Sequence, residues 1–168
     1  MPPSSLSFAR GALHIIQMGR RALTVLGFTL LLTGCGSPTR RQVVNPPGIS
    51  PLVPAYSVAI RHGDTVFVSG MTGIKPGTQD IVDGGVAVQT RQTLENIRTS
   101  LQTAGATMAD VGECTVFLVD MADYAEMNGA YVEFFRVDPP ARATLAVSAL
   151  PRPAARVEIK CSAVIARR

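Results

Sequence analysis

Segment 156–165 sets Val157, Ile159, Cys161, Ala163 and Ile165 on one side of an extended chain. Glu158, Lys160, Ser162 and Val164 fall on the other. Side chains alternate along a strand, so only one face of this segment enters a core. Such a strand calls for a sheet with one covered face, and helices elsewhere must supply the cover. Two segments qualify. Val86, Thr90, Leu94, Ile97, Leu101 and Ala104 recur at three- and four-residue steps, which predicts an amphipathic helix ended by Gly105 as a left-handed cap. Its other face (Gln89, Arg91, Gln92, Glu95, Arg98) reads as solvated. A second helix is predicted from Asp123, with Glu126 three residues on in a capping-box pattern and Met127, Ala130, Tyr131 and Phe134 turned inward. Segments 57–61 and 65–69 flank the turn His62-Gly63-Asp64 as a hairpin, and 113–119 and 144–147 are β-prone. The predicted order is ββαβαββ: an α+β fold, a mixed sheet with two helices on one face. The other face keeps Phe67 or Val68, Phe117 or Val116, and Val164, and self-association is expected to cover it.

The amino-terminal third reads differently. Arg20-Arg21 precede an apolar run over 22–32, too short to span a bilayer, and then come Leu32-Thr33-Gly34-Cys35. The pattern is that of a secretory signal over residues 1–34. Its end resembles the lipobox of bacterial lipoproteins, which implies a lipid on Cys35, cleavage before it, and a lipid-anchored place in the bacterial cell envelope, on the periplasmic side. The general export route fits better than the twin-arginine route, and Met18 is a candidate start. Residues 35–53, rich in Pro, Gly, Ser and Thr, read as a flexible tether before a domain over 54–168; a strand packing through Val43-Val44 is the alternative. Cys114 and Cys161 lie among apolar neighbours and read as separate small core residues, although an envelope location permits a disulfide. Residues 35–168 hold 13 basic and 12 acidic side chains. That balance, without a basic run or aromatic platform, argues against nucleic acid as a partner. The only histidines are His14 and His62, which leaves little from which to build a metal site or a histidine-dependent triad.

Chemistry concentrates near the carboxyl end. Pro139-Pro140 cannot continue a helix and holds the following chain extended, so Arg142 stands at a fixed place at the start of a strand. Glu158 sits within the next strand. A guanidinium grips a carboxylate in two-pronged fashion, leaving an acidic side chain free to handle water. The competing reading is a buried or interfacial Arg142–Glu158 ion pair that only supports an assembly.

Several motifs then carry a resemblance over residues 56–165. They are Val68-Ser69-Gly70, Gln89-Thr90-Arg91-Gln92-Thr93-Leu94-Glu95-Asn96-Ile97, Thr115-Val116-Phe117-Leu118, Asn128 with Tyr131 and Phe134-Phe135, Pro140-Ala141-Arg142, and Val157-Glu158-Ile159. In order and spacing they resemble the Rid, or YjgF-like, family of reactive-intermediate imine deaminases. The resemblance implies a chorismate-mutase-like domain forming a homotrimer with clefts between subunits. It implies hydrolysis of 2-imino and 2-enamino acids to 2-keto acids and ammonia, without metal or organic cofactor. On the matching positions, Arg142 binds the substrate carboxylate and Glu158 positions water. Tyr56, Ser69, Gly70, Asn128 and Thr144 line the pocket. Tyr56 as a strand-edge packing residue and Asn128 as a partner of local backbone remain open alternatives. Met71 stands where the family often has glutamine, Lys160 replaces a frequent second glutamate, and the turn 150–155 is one residue longer than common. The partners expected are small 2-imino or 2-keto acids, further copies of the chain, and a membrane through Cys35. The alternatives are a non-catalytic, envelope-anchored trimer that binds small carboxylic acids and a chaperone-like scaffold.

Overall fold

A computed structural model of the chain describes residues 40–166. The signal segment and Cys35 lie outside the described residues. Eight elements follow in order: β1 (Arg41–Val44), β2 (Ala59–His62), β3 (Thr65–Thr72), α1 (Val86–Thr103), β4 (Val111–Leu118), α2 (Tyr124–Tyr131), β5 (Ala141–Ala146) and β6 (Val157–Val164). The strands form one sheet in the order β1-β2-β3-β6-β4-β5, with β4 and β5 parallel and every other pair antiparallel. This is the expected mixed α+β sheet with one strand added at its edge. Residues 41–44, read from the sequence within a flexible tether, pair with β2 from Arg41 opposite His62 to Val44 opposite Ala59. Val44 and Ile49 are buried. The Pro- and Gly-rich surroundings hide this short strand because four residues are too few to show a period.

α1 lies against β3, β6 and α2, and one core forms between helices and sheet. Leu94, Ile97 and Leu101 of α1 and Val157, Ile159, Cys161 and Ala163 of β6 are fully or almost fully buried. The alternation in β6 therefore has its predicted sense: odd positions face the helices and even positions face away. Gly105, with φ +83°, closes α1. Phe67, Leu145 and Val164 remain exposed. The choice the sequence left open on the uncovered face falls to Phe67 rather than Val68, and Phe117 rather than Val116.

Three local expectations are corrected. Gln89 is not solvated; it is buried, its amide donates to the Ala154 carbonyl at 3.0 Å, and its side-chain oxygen accepts from the Arg156 N–H at 2.8 Å. Asp123 does not cap α2 with its side chain but holds the Arg156 guanidinium at 2.9 and 2.7 Å. Cys114 and Cys161 are not separate core residues but a disulfide. The antiparallel register of β4 and β6 sets them directly opposite each other on the core face.

Candidate functional site

The residues proposed from sequence fall into two groups. The first lines a cleft of about 410 Å³ that contains Tyr56, Ser69, Gly70 and Glu158, with Leu52, Val53 and Ile74 along its wall and Pro151-Arg152 among its lining. β3 breaks register between Val68 and Met71, and this irregularity holds Ser69 and Gly70 beside β6. The Ser69 hydroxyl donates to the Ser57 carbonyl at 2.7 Å, fixing the cleft floor to the preceding segment. The Tyr56 hydroxyl accepts from the Leu52 N–H at 2.8 Å, pinning the wall and leaving its own proton to donate.

Glu158 is half-buried on the face turned away from the helices, without an ion-pair or hydrogen-bond partner among the described residues. Burial raises its carboxyl above the usual carboxylate range. Its side chain lies flat on Gly70: a Cβ there would stand 2.0 Å from Oε1. A methyl at position 70 would displace the carboxylate from this position, so Gly70 permits the close approach.

The second group surrounds Arg142 on β5. Arg142 pairs in register with Cys114, whose disulfide partner lies in the core, so its side chain leaves the sheet on the helix side. The guanidinium carbon lies 4.6 Å from the Tyr131 ring centroid and 6.0 Å from that of Tyr124. Asn128 and, more weakly, Arg142 hold the Tyr124 phenol below its ordinary pKa. Burial pushes the Tyr131 phenol up to about 12 despite the opposing pull of Arg142. The Tyr131 hydroxyl and Thr144 Oγ1 are both buried without a hydrogen-bond partner among the described residues. Arg142 forms no salt bridge to a carboxylate among them. The cluster is thus a cation flanked by aromatic rings, with two hydroxyls in reserve.

Arg142 and Glu158 do not meet within one chain. β4 separates their strands, with Arg142 at the level of Cys114 and Glu158 at the level of Phe117. Two strand spacings and three residues of rise put their backbones about 14 Å apart, and their side chains leave opposite faces of the sheet. Of the buried or interfacial ion pair considered from sequence, the form within one chain is excluded. Sequence reasoning also missed Tyr124 as a neighbour of Arg142 and took Tyr131 for core alone. The signal was present: Tyr124, Asn128 and Tyr131 follow at helical steps of four and three on one face of α2.

Residues 49–165 match the family described as Endoribonuclease L-PSP. A RutC family protein of Sulfurisphaera tokodaii is 44% identical over 108 residues, covering 64% of this chain and 86% of its own. The 2-iminobutanoate/2-iminopropanoate deaminase of Mus musculus is 36% identical over 124 residues, 74% of this chain and 91% of its own. Among solved structures, YyfA of Yersinia pestis, a Rid family protein, superposes with a TM-score of 0.71 at 33% identity, covering 75% of this chain and all of its own. TdcF of E. coli with bound serine gives 0.66 at 30% identity, covering 74% and 99%. With the fold, the motif order and these likenesses in agreement, the chain belongs to the Endoribonuclease L-PSP family, the Rid or YjgF-like group.

Proposed function

We propose that this protein hydrolyses 2-imino acids, and their 2-enamino tautomers, to 2-keto acids and ammonia, at sites completed between copies of the chain in a homotrimer. The observation that carries this reading is the division of the site. Among the described residues, one face offers a carboxylate without a partner in a cleft, and the other offers a guanidinium without a carboxylate counter-ion. Each group lacks what the other supplies, and a second copy brings them together. The exposed Phe67, Leu145 and Val164 supply the apolar surface for that contact. The name of the murine relative, a 2-iminobutanoate/2-iminopropanoate deaminase, supports the reaction class.

Arg142 of one copy grips the substrate carboxylate, which fixes the adjacent imine carbon above Glu158 of the next. Holding reactants in register contributes up to about 7 kcal/mol of barrier lowering. Glu158 takes a proton from water as the new C–O bond forms on the protonated imine, whose C=N electron pair moves to nitrogen to give an amine. The carbinolamine then collapses: Glu158 returns that proton to nitrogen, the C–N bond breaks, ammonia leaves, and the hydroxyl proton passes back to Glu158 as the carbonyl forms. Tyr56 donates to the substrate or the water, and Asn128 and Thr144 complete the arginine side. No step calls for a metal or an organic cofactor. The family description speaks of an endoribonuclease, but the near balance of charge over residues 35–168 gives no footprint for a phosphate backbone.

The proposed location is the envelope, with lipid on Cys35. The Cys114–Cys161 disulfide supports an oxidising compartment. The test is ammonia release from imino acids generated in situ by an amino-acid oxidase. Wild type accelerates release, Glu158→Gln abolishes it but still binds 2-keto acids, and Arg142→Ala loses both. Wild-type protein that binds keto acids without accelerating release overturns the enzyme reading and leaves a binding module.

A further inference from the structure

We infer that the Cys114–Cys161 disulfide is a positioning element of the proposed site, fixing the level of Arg142 in the sheet; this rests on the deaminase reading and adds to it. Arg142 and Glu158 stand on strands that do not touch. β6 carries Glu158, β5 carries Arg142, and β4 lies between them. Cys161 is three residues past Glu158 on β6, and Cys114 on β4 is the register partner of Arg142. The S–S bond therefore joins the strand of the acid to the neighbour of the arginine, at the arginine's own level.

That level lies beside a weak point. The β4–β6 ladder breaks register between Val111 and Glu113, immediately before Cys114. Migration of the break past Cys114 shifts the stretch facing Arg142 by one residue, about 3.3 Å, against β6. The cross-link forbids this, because Cys114 cannot leave Cys161. β5 follows β4 in any such shift: it is an edge strand, pairs with β4 alone and gives no residue to the core of the chain. Reduction also acts through volume. The sulfurs are about 2 Å apart when bonded and need nearly twice that as thiols. Both cysteines are buried in a close-packed core. β6 is backed by β3, whereas β4 has only β5 beyond it, so the displacement runs toward Arg142. Glu158, seated on Gly70 of β3, keeps its place.

The experiment uses the full chain in two arms. In the first, pyruvate binding is measured by calorimetry on oxidised protein and, without oxygen, on protein reduced by a dithiol. The dithiol gives two electrons and two protons to the S–S bond and becomes a disulfide itself; a gain of two thiols confirms the step. Reduction weakens binding at least about tenfold, and reoxidation restores it. In the second arm, Cys114→Ala with Cys161→Val fills the space without the cross-link, and imine turnover is followed. KM rises at least about tenfold, kcat changes less than about threefold, and the acid-side pH midpoint that reports Glu158 does not move. A bond that only stabilises the fold moves none of these in folded, assembled protein. Unchanged affinity in either folded form, or a loss of kcat without a change in KM, overturns the inference while the deaminase reading stands. If neither form stays folded, the bond is a condition of the fold and the positioning role falls. Oxidised wild type that neither binds 2-keto acids nor turns imines over removes both readings.

Discussion

The Glu158 cleft and the Arg142 cluster lie on opposite faces of the same sheet, and they are built by opposite means. The cleft is made of backbone and loop: a register break in β3, a glycine with no room for a side chain, and a wall pinned by one tyrosine hydroxyl. The cluster is made of packed side chains on regular elements, with two tyrosines of α2 holding a guanidinium from β5. The acid is partly desolvated with no cation paired to it among the described residues, and rings rather than carboxylates flank the cation. On the proposed reading each region is half of a site, and a second copy joins the halves.

The sharpest way to break this comparison is complementation. Glu158→Gln alone lowers deamination by about 10²–10⁴-fold, and Arg142→Ala lowers it at least as far. Co-assembly of the two inactive chains restores up to about a quarter of wild-type activity, because one junction type then carries both native groups. No recovery in verified mixed oligomers ends the shared-site reading.

Reduction of the Cys114–Cys161 bond, which closes a separation of 47 residues, costs about 4 kcal/mol in the chain-entropy account. Urea unfolding of oxidised and reduced protein measures it, and coincident curves refute the assignment. Gly70→Ala forces Glu158 off its seat and lowers kcat/KM about 10²-fold while leaving Arg142-dependent keto-acid binding largely intact. Equal loss of both breaks the division of labour between the faces.

Smaller effects sharpen the picture. Burial raises the Glu158 pKa and the proposed reaction uses its carboxylate, so activity is expected to fall with acidification around a midpoint above the ordinary carboxylate range. The same raised value means that folding favours the protonated form. Glu158→Gln therefore stabilises the fold at neutral pH, and the gain disappears as pH falls through the ordinary range, which thermal melts at several pH values follow. Tyr131→Phe removes a buried hydroxyl without a partner and raises stability by about 1 kcal/mol, or lowers it if a neighbouring copy supplies the missing acceptor.

Much of the fold was legible because it is written in periods. β6 and α1 each bury the face their spacing predicts, and Gly105 ends α1 as a left-handed cap. What stayed hidden depends on pairings between distant segments. β1 is too short to carry a period. The register that joins Cys114 to Cys161 cannot be read from two apolar surroundings. Asp123 and Gln89 bear local signatures of a cap and a solvated face, and contacts around Arg156 override both. At the site, residue types pointed to Arg142 and Glu158, but their separation by a strand and by the thickness of the sheet is a property of topology alone.

Because pairing with β2 begins at Arg41, only six peptide steps connect Cys35 to the sheet, a leash that extends at most roughly 22 Å. With lipid on Cys35 as proposed, the body of the protein rides against the bilayer instead of ranging through the compartment.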